Sequence, residues 1–295
     1  MRHCAAYMMA LIATSLIANC EKTPAPTSAE NPDRQSAASN TSPTASHNGI
    51  AGNLVEKKVT KKVAGPAVWG LGPDGRIYVW DGSSWAEPNS QARAEQISVG
   101  SQSSDVWAIG DNKRVFVTKT SGHSWIEPNP NAGLNQITGD SSALWGLGDS
   151  NRVFWSSNGG TSWDERTSDY TLKQVSAGNW NNVWAVTTDS HVLKYNEGIN
   201  KWEEPSPNAK ANQVSAMNVD GAWAIGDNHR VFVATDGVTW KEPNPNAGAY
   251  QISACGDDLQ AWAVGAGGRV FMTTDRGASW SEPNPEAHPK QVECQ

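Results

Sequence analysis

No apolar run in this chain is long enough to cross a bilayer as a helix. The longest candidate, Ala5 to Ala18, falls short of the roughly 20 residues such a span needs. Cysteine is almost absent, with four in 295 residues. His123, His191, His229 and His288 show none of the spacing of a zinc site. There is no Gly-rich phosphate loop and no serine–histidine–aspartate arrangement, so no catalytic residue, cofactor or metal is expected. Positive charge is in deficit: 23 Lys and Arg against 30 Asp and Glu leave a net charge of −7. Without a basic stripe or a recognition-helix pattern, nucleic acid is not an expected partner. Beyond the first residues nothing has helical periodicity.

The N-terminus reads as an address. Arg2 and the short apolar run after it have the form of a secretory signal. The run ends Ile17-Ala18-Asn19-Cys20. This resembles the bacterial lipoprotein cleavage box, with Asn19 where Gly, Ala or Ser is usual. The resemblance implies a signal peptide over residues 1–19, lipidation of Cys20 and attachment to a membrane through that lipid. Glu21 rather than Asp after the cysteine then points to an outer-membrane lipoprotein of a Gram-negative cell envelope. Residues 20–58 are dominated by Ser, Thr, Ala, Pro and Asn and read as a disordered tether. Lys57, Lys58, Lys61 and Lys62 either touch anionic headgroups or form a solvated edge. Residues 59–295 suffice for one substantial core. With Cys4 removed and Cys20 lipidated, Cys255 and Cys294 remain as one candidate disulfide. They stand at nearly equivalent places, four residues after Gln251 and three after Gln291.

Against these absences stands an excess of tryptophan, and twelve of the fifteen fall on one beat. Trp69, Trp107, Trp145, Trp184, Trp223 and Trp262 form one series. Trp85, Trp125, Trp163, Trp202, Trp240 and Trp280 form the other. Successive members of either series lie 38 to 40 residues apart. A period of that size marks a repeat architecture. One repeat holds four short β-rich runs, for example Gln96–Val99, Val106–Ile109, Arg114–Thr118 and Ser124–Glu127, separated by turn residues. Called strands A to D, they describe a propeller blade. The expected fold is all-β: a six-bladed β-propeller of four-stranded antiparallel blades. Phe116, Phe154, Phe232 and Phe271 share one place, filled elsewhere by Tyr78 and Leu193. This set and the twelve tryptophans are assigned to the core between blades. Gln291-Val292-Glu293 follows the last D strand with no blade after it. It is expected to supply strand A of blade one and close the ring. A competing reading has Lys62-Val63-Ala64 fill that slot.

The repeat also works as a ruler. From the B-strand Trp to the start of strand C is seven residues in every blade, and from the D-strand Trp to the next Gln is eleven. The A–B and C–D connections vary in length. In an up-and-down meander the constant turns share one face of the disc and the variable turns the other. The constant face carries two polar motifs. One is Glu-Pro-Asn-Pro-Asn-Ala after strand D, with Glu127, Asn129 and Asn131, then Glu242, Asn244 and Asn246, then Glu282 and Asn284. Blade three departs from it, with Glu165-Arg166-Thr167. The other is Gly-Asp-Asn-X-Arg in the B–C turn, with Asp111, Asn112 and Arg114, then Asp227, Asn228 and Arg230, and variants at Asp149, Arg152 and Arg269. Carboxylates, amides and guanidinium groups beside aromatic rings are what a sugar site needs. Alternatively, Pro and Asn shape the turn and Arg pairs with Glu structurally.

The set Gln-(Ile/Val)-Ser, Val-Trp-(Gly/Ala), Arg-Val-Phe and Ser-Trp, repeated six times, resembles the tectonin-type β-propeller lectins. That resemblance implies multivalent glycan binding between or beside blades. Thr273 to Trp280 resembles the Asp-box hairpin found in sialidases and photosystem assembly factors, as does Ser156 to Trp163 with Asn158 for Asp. Asp-boxes locate a turn and do not indicate catalysis. The arginines here are locked to the repeat, so no enzyme is expected. The expectation is a surface-anchored lectin binding cell-envelope or host glycans. The alternative is a non-catalytic scaffold that takes a protein partner on the variable face, where Trp180 falls off the beat. Trp80 and Trp155 also fall off it.

Overall fold

The computed structural model describes residues 67–100, 105–166 and 168–294. The chain divides into two units, Met1–Lys58 and Val59–Gln295, and every described residue lies in the second. The signal over 1–19, Cys20, the tether to 58, the lysine cluster and Val63-Ala64 all lie outside the described residues.

Six antiparallel sheets follow one another along the chain. The first holds β1 (Val68–Leu71), β2 (Ile77–Trp80) and β3 (Trp85–Ala86). The second holds β4 (Gln96–Val99), β5 (Val106–Ile109) and β6 (Val115–Thr118). The third holds β7 (Gln136–Asp140), β8 (Ala143–Leu147), β9 (Val153–Ser156) and β10 (Asp164–Arg166). The fourth holds β11 (Leu172–Asn179), β12 (Asn182–Thr187), β13 (Val192–Asn196) and β14 (Lys201–Glu203). The fifth holds β15 (Gln213–Ala216), β16 (Ala222–Ile225) and β17 (Val231–Ala234). The sixth holds β18 (Gln251–Ala254), β19 (Ala261–Val264) and β20 (Val270–Thr273). The last strand, β21 (Gln291–Cys294), joins the first sheet beside β1, with Val68 opposite Cys294 and Leu71 opposite Gln291.

Four full strands per sheet were expected, and three sheets have only three. In sheets two, five and six the D strand shrinks to single bridges, Val117 to Ile126, Val233 to Lys241 and Met272 to Ser281. Pro128, Pro243 and Pro283 stand three residues after the D-strand Trp of these sheets and, lacking an N–H, end the pairing there, as Pro88 and Pro205 do after β3 and β14. In sheet three Arg166 stands at that place and continues the pairing opposite Val153. In sheet four the strand lengthens at its other end, where Asn196 pairs with Lys201.

The cores lie between consecutive sheets. Trp69, Leu71 and Ile77 pack on Ile97, Val99 and Val106, and the same arrangement recurs down the chain. Between sheets six and one, Trp262 and Val270 pack on Val68 and Val292. The repeated Gln also has a structural reason. Each A strand has an edge whose backbone faces the next sheet, and an unpaired edge must find partners. Gln96 accepts from Ile137 N and donates to Ile137 O, both at 3.0 Å. Gln174 does the same with Val214, Gln213 with Ile252 and Gln251 with Val292. Gln136 accepts from Val175 N. Gln291 makes both bonds with Ile97. Cys255 and Cys294 are joined by a disulfide, Cα atoms 4.8 Å apart, which ties β21 to the end of β18.

The two tryptophan series part company here. All six B-strand tryptophans are buried, from Trp69 to Trp262. Of the D-strand series only Trp202 is buried; Trp85, Trp125, Trp163, Trp240 and Trp280 are half-buried. The repeated Phe position is also half-buried, with Leu193 the buried exception. The expectation that all twelve tryptophans are core therefore holds in full for the B-strand series, while Trp85, Trp125, Trp163, Trp240 and Trp280 pack on the edges of those cores with part of each ring exposed. Strand D is the outermost, so its side chains have neighbours on fewer sides.

Candidate functional site

Four clefts open where one sheet meets the next, and they are built alike. Between sheets two and three, Phe154 and Trp163 face Asn129, Asn131, Ala132 and Gly133 across about 400 Å³. Between sheets five and six, Phe271 and Trp280 face Asn244, Asn246, Ala247 and Gly248 across about 220 Å³. Between four and five, Phe232 and Trp240 face Asn208 and Lys210, with Asp227 and Asn228 on the rim, across about 320 Å³. The largest of these four, about 560 Å³, lies between six and one, where Tyr78 and Trp85 face Asn284, Glu286 and His288, with Asp74 on the rim. The loop after strand D of one sheet thus forms a wall against the C- and D-strand aromatics of the next. The walls belong to the turns of constant length.

Local chemistry fixes the aromatic floor. In the hairpin before Trp280, Thr273 Oγ1 accepts from Gly277 N at 2.9 Å and Asp275 Oδ1 accepts from Ser279 N at 2.9 Å. The Ser279 hydroxyl on its other oxygen, the Ser279 N–H and the Thr273 hydroxyl hold the Asp275 carboxyl below its usual value. Gly277 adopts φ +82°, and a Cβ there would press on Pro243 and Trp223. Its carbonyl accepts from Trp280 Nε1 at 3.2 Å, which orients the indole. The Ser156–Trp163 hairpin repeats the pattern through Gly160 N on Ser156 Oγ, Ser162 N on Asn158 Oδ1 and Trp163 Nε1 on Gly160 O.

The structure places the polar residues of the two motifs in distinct roles. Arg114, Arg152, Arg230 and Arg269 pair with Glu127, Glu165, Glu242 and Glu282 of their own sheets. Arg152 Nε and Arg269 Nε each donate at 2.7 Å. Those hydrogen bonds hold Glu165 and Glu282 below, and Arg152 and Arg269 above, their ordinary pKa values. Three of the guanidinium groups also lie over the repeated Phe: Arg114 over Phe116 at 5.7 Å, Arg152 over Phe154 at 5.1 Å and Arg269 over Phe271 at 5.2 Å. Asn129 and Asn244 are occupied. Each accepts from the backbone two residues on and donates to the next sheet, at Thr161 O and Ala278 O. Asn284 accepts from Glu286 N. Asn112 and Asn228 accept from Arg114 N and Arg230 N and shape their turns. Asp149 accepts from Lys113 Nζ at 2.6 Å, the main reason its pKa is lowered. Asp111 is exposed. Asn131 and Asn246 are exposed at the cleft walls.

Sequence reasoning missed the aromatic floor, because it assigned the repeated Phe and the D-strand Trp to the core. No sequence signal separated half-buried from buried positions: Glu-Pro follows five of the six D-strand tryptophans, the buried Trp202 included, and not the half-buried Trp163. The junction of sheets three and four is different. Leu193, Tyr195 and Trp202 are buried there, with Tyr195 edge-on to Trp145 at 4.8 Å and to Trp202 at 5.1 Å. Of the off-beat tryptophans, Trp80 packs 5.4 Å from Trp85, and Trp155 lies under the Arg166 guanidinium at 4.5 Å. Neither is free. Trp180 is 62% exposed. Among the described residues no three His, Cys, Asp or Glu are grouped to hold a metal ion.

The Tectonin domain matches residues 58–204. No curated protein matches the chain. Among solved structures, YCF48 bound to a D1 peptide aligns with a TM-score of 0.50 at 14% identity, over 73% of this chain and 78% of that one. The GH74 xyloglucanase of Xanthomonas campestris aligns at 0.51 and 16% identity, over 76% of this chain and 39% of that one. Human WBSCR16 aligns at 0.50 and 14% identity, over 68% and 70%. At such identities the likeness is one of fold alone.

Proposed function

The chain belongs to the tectonin-type β-propeller family, and from that premise we propose that it is a multivalent carbohydrate-binding protein whose sites are the clefts between sheets. The observation that carries this reading is the recurrence of one composition at four junctions: a Phe or Tyr, a half-buried Trp, and a polar wall that holds at least one Asn. Ring faces stack on the C–H surfaces of a pyranose, and amides and carboxylates bond its hydroxyls. We read the six sheets as blades of one closed six-bladed propeller. The Gln bonds from each A strand to the next, and the pairing of β21 with β1, support that reading. Several weak sites on one body gain avidity against a repetitive glycan without any new contact. No catalytic role enters this reading, and the Arg–Glu pairs serve as cleft supports. In the same proposal the chain is a lipoprotein of the outer membrane, held through Cys20, with cell-envelope or host glycans as ligands. A glycan array probed with residues 51–295 tests it. Binding to a defined glycan group is expected, and no binding to any envelope or host glycan overturns it.

A second reading rests on Trp180. It sits at 62% exposure in the A–B turn of sheet four. The turn is held firmly: Asn182 Nδ2 donates to Met217, Val219 and Gly221 carbonyls of sheet five, and Asn179 Nδ2 to Asn218 O. A rigidly mounted exposed indole suits a protein partner. Trp180→Ala that leaves co-purified partners unchanged counts against this reading.

A further inference from the structure

The ridge between two neighbouring clefts carries an aromatic pair found at no equivalent described position. His229 ends the B–C turn of sheet five, and Tyr250 immediately precedes β18 of sheet six. Their rings lie 4.2 Å apart, tilted by 38°, and Tyr250 is 59% exposed. The corresponding pairs at other junctions are Gly75 with Glu95, Lys113 with Asn135, Asn151 with Lys173, Ser190 with Asn212, and Gly268 with Lys290. None of those has two rings.

This pair stands between two sites. Asp227 and Asn228, two residues and one residue before His229, rim the cleft between sheets four and five. Gly248 and Ala249, just before Tyr250, wall the cleft between five and six. The backbone joins the two walls: Ala249 N donates to His229 O at 2.8 Å, and Arg230 bridges Gly248. Tyr250 N donates to Val264 O at 2.7 Å, which fixes the tyrosine to sheet six. His229 also holds φ +63°, where two of its counterparts are glycine. Lys113, Asn151 and Ser190 hold the same left-handed backbone at the equivalent place, so the conformation belongs to the repeated turn, and histidine is among the residues that tolerate it.

We propose that Tyr250, braced by His229, forms a stacking platform that carries an extended oligosaccharide from one cleft to the next. The imidazole packs against the phenol ring and braces it, and the exposed face of Tyr250 is the stacking surface. It fits a chain of at least three pyranoses in equatorial, β-1,4 linkage, whose sugar rings present flat C–H faces. The terminal sugars would enter the two clefts and the middle sugar would lie on Tyr250. This inference rests on the clefts being sugar sites and adds a ligand length and linkage to them.

The test uses the protein from residue 51 onward and two probe series by isothermal titration: glucose to cellohexaose, and N-acetylglucosamine to chitohexaose. For the wild type, affinity is expected to rise with chain length in one series. Tyr250→Ala is expected to remove most of that gain, about tenfold for one lost aromatic contact, and to leave binding of the single sugar unchanged. Tyr250→Trp should retain the gain. Tyr250 is exposed, so these variants fold. The platform is overturned if Tyr250→Ala shows the same length dependence as the wild type, if affinity does not rise with length, or if neither series binds. The clefts themselves are judged separately. Single-sugar binding that Trp280→Ala weakens keeps the cleft reading even when the platform fails. An array on which no glycan binds removes both.

Discussion

Trp262 and Trp280 belong to the same repeat and the same beat, yet they end in different surroundings. Trp262 is 4% exposed in the core between sheets six and one. Trp280 is half-buried and floors a cleft. Truncation should separate them. Trp262→Ala is expected to cost about 3–5 kcal/mol of stability, and Trp280→Ala clearly less, as read from urea midpoints; equal losses would contradict the division. The beat was legible in the sequence, but which series faces solvent was not, because side-chain spacing does not say which strand is outermost. Trp180 was legible because it falls inside a turn of variable length. Glu293 is a second single-residue case. It stands where the other A strands have Ser or Thr, and burial pushes its carboxyl up to about 7 against an ordinary 4.5. Its folded value is above its unfolded value, so the fold favours the protonated form. Stability is full below about pH 4.5, falls as pH rises to about 7, and stays reduced above. Glu293→Gln should therefore raise the melting temperature at pH 8 and leave it unchanged near pH 4. A benefit that is equal at both values would contradict this.

At the scale of elements, the outer strands and the last strand carry the argument. The Glu-Pro step ends strand D in five of the six sheets. This could be read in advance from the proline position, since a missing N–H is a sequence fact. The Gln at the start of each A strand was visible as a spacing mark. Its task of clasping the next strand's backbone was not, because that contact joins residues about forty apart through space. Strand β21 is held by β1, by Gln251 and by the Cys255–Cys294 disulfide. The bond closes a loop with a sequence separation of 39, so chain entropy alone gives about 4 kcal/mol. Replacing both cysteines by Ser should lower stability by up to that amount and make β21 the first segment to exchange its amide hydrogens. Unchanged exchange there would contradict a clasp role. Asn129 and Asn244 act similarly between sheets. Each ties a turn to the neighbouring sheet, and Asn244→Ala should cost about 1 kcal/mol, seen in thermal melts.

For the whole molecule, the division into constant and variable turns maps onto function as proposed. The clefts sit among the constant turns, and Trp180 sits among the variable ones. The fold class was readable because six copies of one pattern average out local ambiguity. The sites were only partly readable: the Asn-rich loops do wall the clefts, whereas Arg and Glu engage each other. The junction of sheets three and four lacks the Pro-Asn loop and is filled by Tyr195 and Trp202, so the molecule is not uniform around its repeats. The most direct measurement is the binding stoichiometry of the soluble portion, from residue 51 onward, titrated with the smallest array-positive sugar and followed by native mass spectrometry. Several equivalent weak sites per chain, reduced by one in Trp280→Ala, are expected. A single site, or a count that Trp280→Ala leaves unchanged, would contradict the account.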